Sequence, residues 1–155
     1  MIVGRCSRLV LVLGMLFAGA SSAAPALGAQ THEHVDTTIV IRANGSSLEF
    51  SPARISLKQG THVRLRFINE GTLPHNVVIA RSDDDIDALA MGAMQAGGDY
   101  VPLDQKDKMI AWTKLASPGQ TVDVTFVVPP AGEYTYVCLF SGHAAMMLGT
   151  LRSLQ

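Results

Sequence analysis

The sequence predicts an all-β domain, an antiparallel β-sandwich of Greek-key type with about eight short strands and one short helical insert. Three observations carry this. Short runs rich in Val, Ile, Thr and Phe recur along the chain, the clearest of them alternating apolar with polar residues. Clusters of Gly, Pro, Asn and Ser separate the runs. One stretch, residues 83–98, departs from the pattern: it opens acidic, continues rich in Ala and Met, and repeats its apolar residues at helical spacing.

The first 29 residues are expected to lie outside that domain. Arg5 and Arg8 precede an apolar run, Leu9 to Ala20, and a small-residue segment, Ser21 to Ala29. This is the layout of a secretory signal peptide, cleaved after one of the alanines between 20 and 29. The run is short of the ~20 apolar residues a membrane span needs. No cysteine follows it, so a lipid anchor of the bacterial lipoprotein type has no attachment point. The expected domain organisation is therefore a leader, 1–29, and one domain, 30–155, which is long enough for a single hydrophobic core. Processing leaves no integral membrane span, and the expected location is the periplasm, or the extracellular space if the cell is not Gram-negative. Loss of Arg5 and Arg8 takes the formal charge from −1 to −3, and no basic tract remains, which argues against nucleic acid as a partner.

Element by element, Gln30 to Asp36 is polar and reads as a loose tail, with His32 and His34 exposed. Thr37 to Ala43 (TTIVIRA) is the first strand, and Asn44 to Ser47 is a turn. Leu48 to Phe50 and Arg54 to Leu57 are short extended pieces on either side of Ser51-Pro52. Thr61 to Ile68 alternates, with Val63, Leu65 and Phe67 on one face and His62, Arg64 and Arg66 on the other, so His62 is expected at the surface. A loop through Leu73-Pro74 leads to His75, and Asn76 to Ala80 is the next strand. Asp83 to Asp85 suit a helix N-terminus. Ile86, Leu89, Ala90 and Ala93 share one helical face, and Gly97-Gly98 end it. Met91 and Met94 are read as core or flap packing. Asp99 to Lys108 reads as a polar loop. Strands follow at Met109 to Leu115, Thr121 to Val127, Glu133 to Cys138 and Leu148 to Leu154.

The chemistry concentrates in Tyr134 to Leu151, YTYVCLFSGHAAMMLGTL. Cys138, His143 and Met147 fall within ten residues, between the end of one strand and the start of the next. Cys6 lies in the leader, so the exported chain keeps Cys138 alone and makes no internal disulfide. A single thiol in an oxidising compartment is buried, reactive or bound, and metal ligation is one way to occupy it. His75 stands just before another strand, and two strand ends meet at one pole of a sandwich. Two imidazoles, a thiolate and a weak thioether select one copper ion, cycling between Cu(I) and Cu(II), and suit one-electron transfer. Zinc would want a fourth strong ligand.

At these residues the sequence resembles the azurins, blue (type 1) copper proteins of the cupredoxin family. CLFSGHAAMMLGTL resembles their C-x₄-H-x₃-M loop with the G-T-L strand after it. LPHNVVIA is similar to the segment around their first histidine, and IAWTKLASPGQTVDVTF to the strand pair before the copper loop. The acidic helical insert with DYVPLDQKD matches their flap, and PPAGEYTYVC also has plastocyanin-like and auracyanin-like features. The resemblance covers most of Thr37 to Arg152. It implies a cupredoxin fold with His75, Cys138 and His143 as equatorial ligands and Met147, rather than Met146, as the axial one. It also implies that Asn76 ties the two ligand loops together, and that the N–H groups of Asn76 and Phe140 point at the sulfur. Pro74 replaces the usual glycine before the first histidine, and Ser141 replaces the usual proline in the loop.

The implied function is a small electron carrier, not an enzyme. The expected partners are redox proteins, cytochromes or copper oxidoreductases, docking on an uncharged patch around His143 formed by Leu73, Phe140, Gly142 and Ala145. The alternative is a periplasmic copper chaperone or storage protein. A copper oxidase would need a further histidine-rich site, and His32 and His34 are the only spare cluster. A cysteine hydrolase would leave Met147 without a role.

Overall fold

In the computed structural model the described residues are Met1 and 34–155; apart from Met1, the leader expected at 1–29 lies outside them. Among the described residues nine strands form two sheets. The strands are β1 (Thr37–Gly45), β2 (Phe50–Ser51), β3 (Arg54–Lys58), β4 (His62–Gly71), β5 (Val78–Ala80), β6 (Met109–Trp112), β7 (Thr121–Val127), β8 (Gly132–Val137) and β9 (Leu148–Leu154). One sheet runs β2-β1-β4-β7 and the other β3-β9-β8-β5-β6. The sandwich is not purely antiparallel, as the alternation and short turns suggested. β1 pairs parallel with β4, Ile41 beside Phe67, and β3 pairs parallel with β9, Ile55 beside Leu151. Parallel neighbours need a crossover, and the chain supplies one by leaving β1 and β2 for β3 in the other sheet before returning to β4. Strand sequence alone does not distinguish the two pairings.

β4 shows why the sequence folds this way. Val63, Leu65 and Phe67 are buried while His62, Arg64 and Arg66 face solvent, so a slip of one residue would invert the whole face. His62 is exposed, as expected. Its backbone N–H donates to Asp36, and His34 bonds the same carboxylate, so residues 34–36 are tied to the domain rather than loose. The main core lies between the sheets and includes Ile41, Phe50, Leu65, Phe67, Ile79, Tyr136 and Leu151. Each such side chain contributes roughly 1.5–3 kcal/mol by leaving water.

The second sheet is covered on its outer face as well. Helix α1 (Ile86–Ala96) packs Leu89 and Ala93 onto Val78, Ala80, Met109, Val137 and Leu139. β5 therefore has no polar face and is buried throughout. A 3-10 turn, Asp83–Asp85, leads into the helix; Ser82 caps it by accepting the Asp84 N–H, and Gly97, at φ 59°, ends α1. The stretch read as a polar loop contains further 3-10 turns over Leu103–Lys108. Gly92 lets the helix lie on them, because a Cβ there would sit 2.9 Å from Pro102 and overlap Gln105. Met91 and Met94 do not pack as expected: they are 62 % and 60 % exposed, on the helix face turned away from Leu89 and Ala93. Helical spacing shows that residues share a face but not which face meets the sheet. Among the described residues no helix is long and apolar enough to cross a membrane.

Candidate metal centre

Side-chain parity delivers the site. In a strand, alternate residues point to opposite faces. On β8 and just beyond it, Tyr136 and Cys138 join the inter-sheet core while Val137 and Leu139 join the layer under α1. Along the segment into β5, Val77 and Ile79 face the inter-sheet core, and His75 shares their parity. On β9, Leu151 faces that core, and Met147 shares its parity and its cluster. The pairing of β5 with β8 (Val78 beside Val137) and of β8 with β9 (Val137 beside Leu148) brings the three strand ends to one pole.

At that pole the Nδ1 atoms of His75 and His143 are 3.2 Å apart, and the Cys138 Sγ lies 3.7 Å and 3.6 Å from them. A point equidistant from the three atoms is about 2.0 Å from each, the length of a metal–imidazole bond. His75, Cys138 and His143 are the one cluster of this kind among the described residues. All three are buried, with His143 the most accessible at 6 %. Met147 is fully buried, whereas Met146, the competing sulfur, is 62 % exposed.

The site's electrostatics favour neutral donors. Burial holds His75 down to about 4, with a smaller contribution from His143, and burial also lowers His143. Burial pushes the Cys138 thiol up to about 11, against the opposing pull of the Asn76 and Phe140 backbone N–H groups. Those two donors are the ones expected at the sulfur. A metal ion held by these three donors would reverse this balance, by replacing the thiol proton and taking both imidazole lone pairs.

The loops are braced from outside. Asn76 Oδ1 accepts the Leu139 N–H at 2.8 Å, and its Nδ2 donates to the Asp99 and Tyr100 carbonyls at 2.9 and 3.3 Å. One side chain thus joins the His75 loop, the Cys138 loop and the flap. The cysteine loop closes on itself, with Cys138 N–H donating to the Met147 carbonyl and the N–H groups of Met146 and Met147 to the His143 carbonyl. His75 pairs its backbone with Ala116 in both directions. Tyr100, Phe140, His143 and His75 form a line of rings at successive centroid distances of 4.9, 5.0 and 4.9 Å. Sequence reasoning missed two braces. Asn69, fully buried, donates to the Leu73 and Ala116 carbonyls at 2.8 Å each and accepts from Gly71. Thr113 accepts the Val77 N–H. Asn69 follows the alternating strand at an inward position, the only local signal that it is not a loop residue. Of the two departures from the azurin pattern, Pro74 is half-buried directly before His75 and Ser141 is exposed at the rim of the loop.

Residues 37–153 match the model of the copper-binding plastocyanin/azurin family. The chain belongs to that family. It is 37 % identical to auracyanin-B of Chloroflexus aurantiacus over 141 residues, 86 % of this chain and 60 % of that protein, so it spans about three-fifths of that relative's length. It is 34 % identical to the azurin of Bordetella pertussis, covering 91 % of this chain and 95 % of the azurin. The solved structure of auracyanin A, a blue copper protein from the same Chloroflexus, superposes with a TM-score of 0.71 at 34 % identity, covering 76 % of this chain and 98 % of that one. Copper is the cofactor of this plastocyanin/azurin-type domain, and His75, Cys138, His143 and Met147 are arranged as in a type 1 copper site. The donor set fits that metal: thiolate and thioether suit Cu(I), and imidazole suits both oxidation states. Electron transfer is the general role of such proteins.

Proposed function

We propose that this protein is a soluble, exported carrier of single electrons and not an enzyme, with His75, Cys138 and His143 as the strong copper ligands and Met147 as the weak axial one. Copper held by these residues would supply one-electron chemistry between Cu(I) and Cu(II). The observation that supports the reading best is the buried triangle of Cys138 Sγ and two Nδ1 atoms, with sides of 3.2 to 3.7 Å. The chain's own residues do the rest. Packing around Cys138 and His75 excludes water. The Asn76 and Phe140 N–H groups stabilise negative charge on the sulfur, which favours the reduced state. The Asn76 brace and the closed cysteine loop hold the donors in one arrangement, so little has to move when the charge changes.

Electrons enter and leave beside His143. Leu73, Gly142 and Ala145 are exposed there and Phe140 is half-buried, and none is charged. A redox protein, a cytochrome or a copper oxidoreductase, docks on this patch in a small, fast-exchanging interface. The leader reading of residues 1–29 supports a periplasmic location for the 30–155 domain. A copper chaperone or store, the alternative, needs donors that open readily to a partner, and the burial of His75 and Cys138 argues against it.

Addition of Cu(II) to the purified protein tests the site. An intense thiolate-to-copper charge-transfer band in the visible is expected. A weakly absorbing complex refutes the type 1 reading. Ala145→Asp tests the docking patch: it is expected to slow electron self-exchange while leaving the visible band in place, and unchanged rates refute the patch.

A further inference from the structure

The exposed methionines of α1 are no part of the copper ligand set proposed above. Asp87, Met91 and Met94 fall at i, i+4 and i+7, so they form one stripe along the helix. That stripe is one wall of an apolar groove of about 440 Å³, and Phe140, Ala144 and Ala145 of the copper loop form the facing wall. Fold stability does not explain the pair, since Leu89 and Ala93 bury the helix's other face completely and Met91 and Met94 remain largely in solvent. Two thioethers three residues apart, on flexible side chains, can close on one ion, and a carboxylate one turn earlier supplies the negative charge a monovalent cation needs.

We propose that Met91 and Met94, with Asp87, form a second, exposed and labile site for Cu(I) in the groove beside the copper loop. Paired thioethers are soft, uncharged donors, and they select Cu(I) over Cu(II), zinc and the hard cations. With two sulfurs and an exposed carboxylate the site binds more weakly than the buried donors, and copper exchanges from it without unfolding anything. The pair thereby gives the domain a surface position for copper next to its permanent one. The site stands apart from the ligand assignment above, because it shares no residue with it.

Silver(I) is a redox-inert substitute for Cu(I) and serves as the probe. Protein with methyl-¹³C-labelled methionine, loaded with copper and reduced, is titrated with Ag(I) and followed by its methionine methyl resonances. The Met91 and Met94 methyls are expected to shift together and saturate at a single Ag(I) per chain. Met146, equally exposed at 62 % but not lining the groove, should stay in place at that ratio. Met91→Leu or Met94→Leu should weaken the uptake about tenfold or more, Asp87→Asn by less, and the double methionine variant should abolish it. All these positions are exposed, so the variants are expected to fold, and the visible band after reoxidation reports whether the buried copper has stayed. Met146 shifting in parallel with the pair would mean generic binding to any exposed thioether and would overturn the proposal. So would the absence of a shift at Met91 and Met94, or loss of the buried copper before they respond. If the buried donors fail to take copper at all, the band never appears, and the methyl shifts still report on the groove by themselves.

Discussion

Replacing Asn76 should loosen both ligand loops at once. Its side chain is fully buried, accepts one backbone N–H from Leu139 and donates to two flap carbonyls. In Asn76→Ala the Leu139 N–H loses its acceptor inside the protein, which costs about 1–3 kcal/mol. Loss of the donated bond adds about 1 kcal/mol, giving about 3 kcal/mol in all. Unfolding a domain of about 120 residues releases ~0.25 kcal/mol/K, so the copper-free protein should melt about 12 °C lower. Asn76→Asp separates the contributions. It keeps an acceptor for Leu139 but loses the donor to Asp99 and Tyr100, and it places negative charge near the sulfur. Hydrogen exchange gives the residue-level readout: the Leu139 amide should lose protection in Asn76→Ala and keep it in Asn76→Asp. A melting point for Asn76→Ala within about 2 °C of the parent, or unchanged protection at Leu139, would refute the account of this residue as the brace between the loops.

Four further outcomes follow from the same geometry. Gly149→Ala should be strongly destabilising, by about 3 kcal/mol or more in chemical denaturation, because a Cβ there overlaps the buried ring of Tyr136, whose hydroxyl donates to the Pro52 carbonyl at 2.6 Å. Met146→Leu should leave the visible spectrum of the copper form unchanged, whereas Met147→Leu should shift it and raise the reduction potential, since only Met147 is buried beside Cys138. Copper uptake should weaken as pH falls, by about tenfold per pH unit below the thiol pKa, because each ion displaces one proton from Cys138. In the copper-free protein the depressed pKa of His75 acts in the same direction. The unfolded chain takes up the imidazole proton near 6.5 and the folded one only near 4, so stability is expected to decline across that window as pH falls, which acid titration of the folded fraction checks.

Much of this was legible in one dimension. The alternation through Val63, Leu65 and Phe67 fixed the inward face of β4, and the same parity rule, applied to 75–79, 136–138 and 147–151, sends His75, Cys138 and Met147 inward; His143 lies in the turn between β8 and β9, where parity does not apply. The crowding of a thiol, an imidazole and a thioether into 138–147 marked the site before any strand was paired, because ligand chemistry is a property of side-chain type. Strand direction was not legible. The parallel pairings of β1 with β4 and β3 with β9 depend on where the chain crosses between sheets, and a strand's own residues carry almost no signal of its neighbour's direction. The fate of Met91 and Met94 was hidden for a related reason. Helical spacing grouped them correctly, but only the docking of Leu89 and Ala93 against the sheet determined that the methionines face outward.

The sequence by itself thus singled out the candidate donor residues, the strand-rich architecture and the place of the helical insert, since each rests on residue type and short-range periodicity. Tertiary structure decided the rest: that His75, sixty-three residues before Cys138, stands 3.7 Å from its sulfur, and that Asn69 and Thr113 brace the loop that carries it. Those are contacts between segments far apart in the chain. They come into being only when burial of the two sheet faces brings the strand ends to a common pole.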